Sequence, residues 1–340
     1  MKTAGFLILA SVLAQAESPD LRTFLAQNLG FSSREIRAIE RDVVVKQLAV
    51  EKHAREVAII GVVRIGVPPG EMVQHFRRIE HFMESDTLQQ IGTFQDPPVP
   101  GDVASLRLDP SHLKAIQECE VGKCKIKLAA RGIDRFRKVD WSAANAGDEV
   151  VALVREAIIE YLRGYLDRGN SALIVYGDKE KPMRLSAGFG HLLGQTRYIY
   201  RYVPELHRYL NEFPESAPPG VEDFLYWSVE DYGYRPVIAI THATIYSRPG
   251  AEARVLMAQK QIYASHYFHA RFELMGLVDG SWGEEPGTYL VYLDRSLFDA
   301  DLGGVQRRLL VRGVLKSVRS RLASIRDRLE AQHHTSPQRK

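Results

Sequence analysis

The sequence predicts an α+β protein: a curved antiparallel sheet packed on a long C-terminal helix, with a mainly helical insertion. Three observations carry this. Over residues 57–82 a run alternating with period two breaks at Pro68-Pro69-Gly70-Glu71 and restarts with Met72, Val73, Phe76, Ile79 and Phe82 at helical spacing. After Val221, β-branched and aromatic residues return between turn signals, as an antiparallel meander does. Beyond Gly303-Gly304, the residues Val311, Leu315, Val318, Leu322, Ile325 and Leu329 form a narrow helical stripe whose other face is basic.

In chain order, Lys2, the apolar run over residues 5–13 and Ala14-Gln15-Ala16 before Glu17 read as an export leader covering residues 1–16. The run falls well short of the roughly 20 residues of a spanning helix, so a soluble periplasmic or secreted chain is expected. Residues 18–42 read as helical with Ser33 as cap, and Val43, Val44 and Val45 begin a strand. In the next strand Val57, Ile59, Gly61, Val63 and Ile65 share one face, and Ala58, Ile60, Val62 and Arg64 the other. A helix over 70–83 and a strand over 88–94 complete this part, residues 17–101.

The insertion, residues 102–220, opens on the helix start Asp109-Pro110-Ser111. A helical stripe runs from Val150 to Tyr165 and stops at Gly169-Asn170, with further helices expected over 185–193 and 204–213. Residues 125–128 are a weak strand candidate because lysines alternate with the apolar residues. Cys119 and Cys124, spaced C-x4-C, read as a disulfide closing a short loop, worth roughly 2–3 kcal/mol. The nearest further ligand, His112, stands alone, so no metal site is expected.

In residues 221–330, strands are expected over 234–246, 254–278 and 289–295, then the terminal helix and a polar tail over 331–340. Along 262–274 one face carries Ile262, Ala264, His266, Phe268, Ala270, Phe272 and Leu274 and is expected to be buried. The other carries Tyr263, Ser265, Tyr267, His269, Arg271 and Glu273 and is expected to be wet or amphipathic. The small Ala264 and Ala270 leave either room for a ligand or room for the terminal helix to approach, the commoner use in dense interiors.

The segment at residues 40–45, the strand from Val57, the Pro-Pro-Gly-Glu turn into a helix, the late meander and the terminal helix together resemble the START-like or SRPBCC (helix-grip) superfamily. The resemblance covers residues 33–95 and 221–330. It implies an exported, bacterial-type carrier or sensor that holds a hydrophobic small molecule or lipid between sheet and terminal helix. That site would be lined by Ile262, Ala264, His266, Phe268, Ala270 and Phe272 and closed by Val311, Leu315, Val318 and Leu322.

His266 interrupts the apolar face and is a candidate for a ligand's polar head or a general base; a core histidine satisfied by a carbonyl is the plainer reading. His242, between Thr241 and Thr244, has the same ambiguity. His269 stands at i+3 from His266 and points to the opposite face, so the two cannot share a metal. Lys260 reads either as a buried cation for a carboxylate or as a solvated strand residue. Glu222 and Asp223 stand before the aromatic run Phe224 to Trp227; a solvated turn is expected in preference to a glycosidase-like acid pair.

The chain carries no G-x-S-x-G elbow, H-E-x-x-H, phosphate-binding loop or G-x-G-x-x-G, so no cofactor is expected. Two functions remain. One is the carrier or sensor, its basic terminal helix touching anionic membranes or simply solvated. The other is a START-like cyclase or hydrolase using His266 or His242 with a neighbouring Tyr. A net charge of only +3 gives no footprint for nucleic acid.

Overall fold

The computed structural model describes residues 20–50, 54–248, 254–280 and 287–335. The expected leader, the turn at Pro249-Gly250, most of the turn before Gly287 and residues 336–340 lie outside the described residues. Asp20 caps α1 (Leu21–Leu29) by accepting from the Thr23 amide, and Gly30 ends it at φ 66°. Ser32, not Ser33, caps α2 (Ser33–Ala38) in a reciprocal box with Glu35. Next come β1 (Val44–Gln47) and β2 (Glu56–Ile65). The helix expected over 70–83 is two, α3 (Pro69–Arg77) and α4 (Ile79–Phe82), divided at Arg78, whose ψ of 61° leaves the helical region. An edge strand follows, β3 (Leu88–Thr93).

The insertion supplies α5 (Pro110–Gln117), α6 (Ala130–Phe136) and α7 (Ala146–Arg168). A two-stranded ribbon of β4 (Val175–Tyr176) and β5 (Met183–Arg184) precedes α8 (Leu185–Gly194), α9 (Arg197–Tyr202) and α10 (Pro204–Glu212). Residues 125–128 form no strand; the Lys127 amide instead donates to the Ser265 carbonyl at 2.8 Å. The meander is β6 (Val221–Glu230), β7 (Val237–Ser247), β8 (Arg254–Ala264), β9 (Phe268–Gly280) and β10 (Gly287–Phe298). The single strand expected over 254–278 is thus the β8–β9 hairpin. α11 (Gly304–Thr335) runs into the expected tail, where His333 Nδ1 lies 2.8 Å from Glu71.

All eight strands of the main sheet pair antiparallel, in the order β1-β2-β10-β9-β8-β7-β6-β3. The sheet is covered on both faces. Ile59, Val63 and Ile65 of β2 pack with Phe76 of α3 and with Val318, Leu322 and Ile325 of α11. Ala58, Ile60 and Val62, their neighbours in sequence, pack on the opposite side in the core that holds α1, α7 and α8. The insertion also has a small core of its own, with Ile116, Ile126, Ile133 and Phe136 around the Cys119–Cys124 disulfide. Among the described residues no helix is long and apolar enough to cross a membrane.

α11 crosses β2 at Gly61, where any Cβ would collide with the Leu322 side chain. Gly61→Val is therefore expected to cost about 1–3 kcal/mol through overpacking. In urea unfolding this should lower the midpoint with the slope unchanged. Wild-type stability in this variant would mean that α11 does not seat on β2.

Candidate functional site

The residues expected around one ligand lie on two sides of the sheet. Ile262, Ala270 and Phe272 belong to the core beneath the insertion, whereas Ala264 and Phe268 belong to the core beneath α11. Two register shifts separate them. In β7–β8, Ile240 faces Tyr263 but Thr241 faces Gln261, leaving Ile262 over. In β9–β10, Leu297 faces Ala270 but Phe298 faces Phe268, leaving His269 over. Each extra residue reverses the alternation of faces. His266 stands in the hairpin turn between the strands. Of the four α11 residues, Val311, Val318 and Leu322 are buried on the Ala264 side, with Leu315 partly buried beside them.

Beneath α11 the sheet carries charged as well as apolar side chains. The strip expected to be wet holds half-buried Arg271 and buried Glu273, and Arg271 Nη2 lies 2.7 Å from both Glu273 Oε1 and Asp294 Oδ2. Arg321 reaches down from α11 to Glu273 at 3.3 Å, so one arginine of the basic stripe is structural. Burial pushes the Glu273 carboxyl up, and Arg271 and Arg321 outweigh it and hold the group below its ordinary range. Ala270 admits a helix rather than a ligand. That helix is α8, whose Gly188 comes so close that an added Cβ would sit 3.0 Å from the Ala270 Cβ.

On the insertion side four polar residues join into one run, buried from Lys260 through Tyr165 to His242 and exposed at Asp223. Lys260 Nζ donates to the Tyr165 hydroxyl at 3.2 Å, and Tyr165 is 2.9 Å from His242 Nδ1. His242 Nε2 is 2.9 Å from Asp223 Oδ1, which also accepts from Thr244 Oγ1 at 2.7 Å, while Tyr209 donates to Asp223 Oδ2 at 2.5 Å. Burial lowers the His242 imidazole, so the ring is neutral at pH 7, with its hydrogen on Nε2 toward Asp223 and Nδ1 free to accept from Tyr165. Burial pushes the Asp223 carboxyl up, but His242, Tyr209 and Thr244 together hold it below its ordinary range. Lys260 has Asn170 Oδ1 as its second acceptor and the Phe189 ring 4.4 Å from its ammonium; burial lowers it to about 7.

The sequence singles out His266 or His242 with a neighbouring Tyr left unspecified; the tyrosine beside His242 is Tyr165 of α7. The sequence places Asp223 in a solvated turn and Tyr165 only in a helical stripe. Residues 223 and 224 stand opposite 244 and 243 in the β6–β7 register, which puts Asp223 beside His242 on one face. Glu222 turns to the other face and pairs with Arg77 at 2.6 Å, so the two carboxylates do not act together.

A cavity of about 440 Å³ lies between α6, α7 and the sheet. Its wall is apolar, with Ile126, Leu128, Ile158, Leu173, Ile240 and Tyr263, and Arg131, Arg135 and Arg168 also line it. Arg135 is paired with Glu156 and Glu160. Tyr161, which lines the cavity one turn before Tyr165, anchors the α7 wall to the sheet by donating to the Ile262 carbonyl at 2.6 Å. Among the described residues no cluster of His, Cys, Asp or Glu is placed to hold a metal ion. Set against known proteins, the chain matches no family model, no curated protein and no solved structure.

Lys260 makes the run sensitive to pH. Its folded-state value lies below the ordinary 10.5, so between about pH 7 and 10.5 the folded chain binds fewer protons than the unfolded one, and stability rises with pH across that window. Below the window the full cost of burying the ammonium is present. Lys260→Met is expected to be more favourable at about pH 6 than at about pH 9, by about 1–3 kcal/mol. Denaturant unfolding at both pH values reads this difference. Equal effects at the two would mean that Lys260 titrates normally.

Proposed function

We propose that the protein binds a hydrophobic small molecule or lipid as a carrier or sensor, in the cavity between α6, α7 and strands β7 and β8. The observation that carries this is the apolar wall of about 440 Å³ of space, within the range of small-molecule sites. Arg131 and Arg168 at the cavity favour a ligand with an anionic head, such as a fatty acid, while Arg135 is taken by Glu156 and by Glu160, which also lines the space. The START-like resemblance supports the ligand class, with the ligand on the opposite side of the sheet from the terminal helix. The leader-like N-terminus and the Cys119–Cys124 disulfide support export. Val305 and Leu309 are exposed near the start of α11, beside the exposed Arg308, Arg312 and Lys316, a surface suited to transient contact with an anionic bilayer.

Native mass spectrometry after gentle purification, followed by organic extraction, tests this. An apolar adduct is expected in the wild type, and Ala157→Phe, which fills the cavity wall, should weaken its retention by about tenfold or more. Leu315→Ala, beneath α11, should leave it in place. Failure of a lipid panel to bind, or equal retention by Ala157→Phe, would remove this reading.

One observation favours a second reading, a START-like hydrolase or cyclase: the run from Asp223 through His242 and Tyr165 to Lys260 has the order of a proton relay. Tyr165, His242 and Lys260 are sealed from solvent and Asp223 is exposed, so the run opens to solvent at its Asp223 end. In an ester panel His242→Gln should abolish turnover while retaining the fold. Unchanged turnover would make the relay structural.

A further inference from the structure

A second, polar pocket of about 160 Å³ lies beside the disulfide loop. It is separated from the apolar cavity by residues 125–129, with Ile126 and Leu128 lining one space and Lys125 and Lys127 the other. Three side chains that line it are buried and each holds a polar atom without a hydrogen-bond partner: Lys127 Nζ, His266 Nε2 and Asp178 Oδ1. Their exposures are 2%, 5% and 4%. Buried polar atoms are nearly always satisfied, so three orphans around one small space call for a missing partner.

The missing partner must accept hydrogen bonds. The Ser265 hydroxyl accepts from the Ile238 amide at 2.9 Å and has its own hydrogen to give to His266 Nδ1 at 2.8 Å. The ring hydrogen is then on Nε2, a donor that faces the Lys125 carbonyl without a partner of full hydrogen-bond geometry. Burial, reinforced by nearby His112, lowers this imidazole to about 3, so the ring is neutral; the Lys125 carbonyl opposes the shift without meeting hydrogen-bond geometry. Lys127 has Asp299 Oδ2 at 3.5 Å, the Tyr176 ring at 4.2 Å from its ammonium, and the charge of Asp178 nearby. Arg235 and Lys179 line the same space, and Tyr267, whose hydroxyl accepts from the Arg235 amide at 3.0 Å, keeps its own hydrogen available. The Lys125 ammonium is taken by Glu118 at 2.7 Å.

The carboxylates Asp299 and Asp178 also line the pocket. Asp299 is engaged by both Lys127 and Lys179. Asp178 Oδ1 requires a group that donates, and a simple carboxylate has none. A protonated phosphate carries both functions, with oxygens for Lys127, His266 and Arg235 and an O–H for Asp178. We propose that this pocket binds a hydrogen-phosphate group, free or as the phosphoryl end of a monoester, held by Lys127, His266 and Arg235 with Asp178 receiving its hydrogen.

Isothermal titration of the full chain with inorganic phosphate tests this, with acetate as the comparison and glycerol phosphate as the monoester. Saturable phosphate binding is expected, with affinity reduced about tenfold or more in Lys127→Met and, independently, in the half-buried rim variant Arg235→Gln. Acetate should give no saturable heat. Glycerol phosphate binding as tightly as inorganic phosphate would identify the monoester end as sufficient, and weaker binding would identify the free ion. The proposal is overturned if wild type does not bind phosphate, if acetate binds as well, or if Arg235→Gln keeps wild-type affinity whether or not Lys127→Met folds.

Discussion

The rest of the structure depends on a sheet whose two faces are both apolar. In β2, Val57 to Val63 are buried without a break, and β7 is buried from Val237 to Tyr246. Such strands cannot leave one side in water, so the sheet needs two covers. α11 with α3 is one, and the insertion with α1 and α2 is the other. The insertion is therefore a structural layer and not an appendage. The two covers meet the sheet differently. α11 seats closely on β2 over Gly61 and brings Arg321 to Glu273, whereas the insertion seats α8 closely on β9 at Gly188 but leaves space beside α7.

Elements with strong local periodicity were legible in the sequence. The faces of β2, the stripe of α7, the start of α5 and the stripe of α11 all stand where the spacing of apolar residues put them. Two kinds of feature were not. The extra residues Ile262 and His269 reverse the faces of β8 and β9 without leaving a mark in the local pattern, which is why one expected pocket wall became two walls on opposite sides of the sheet. The meeting of Tyr165, Asp223, His242 and Lys260 joins an insertion helix to three strands, and pairings at that separation have no period to read.

Residues 125–129 show how a weak pattern can carry information. Alternating lysines made the segment a poor strand, and it forms none. The alternation instead suits a partition, with Ile126 and Leu128 toward an apolar cavity and Lys125 and Lys127 toward a polar pocket. The wet-looking Arg271 and Glu273 were misleading for a related reason. Charge predicts solvent only where no opposite charge waits inside, and here Asp294 and Arg321 do.

The central claim is that an apolar ligand enters beneath the insertion and not beneath the terminal helix. Isoleucines report on the two places separately, since Ile126, Ile158 and Ile240 line the cavity while Ile59 and Ile325 pack under α11. Titration of methyl-labelled protein with palmitate, followed by NMR, should shift the first three methyl signals and leave the last two unmoved. Shifts confined to Ile59 and Ile325 would place the ligand under α11 and contradict the account.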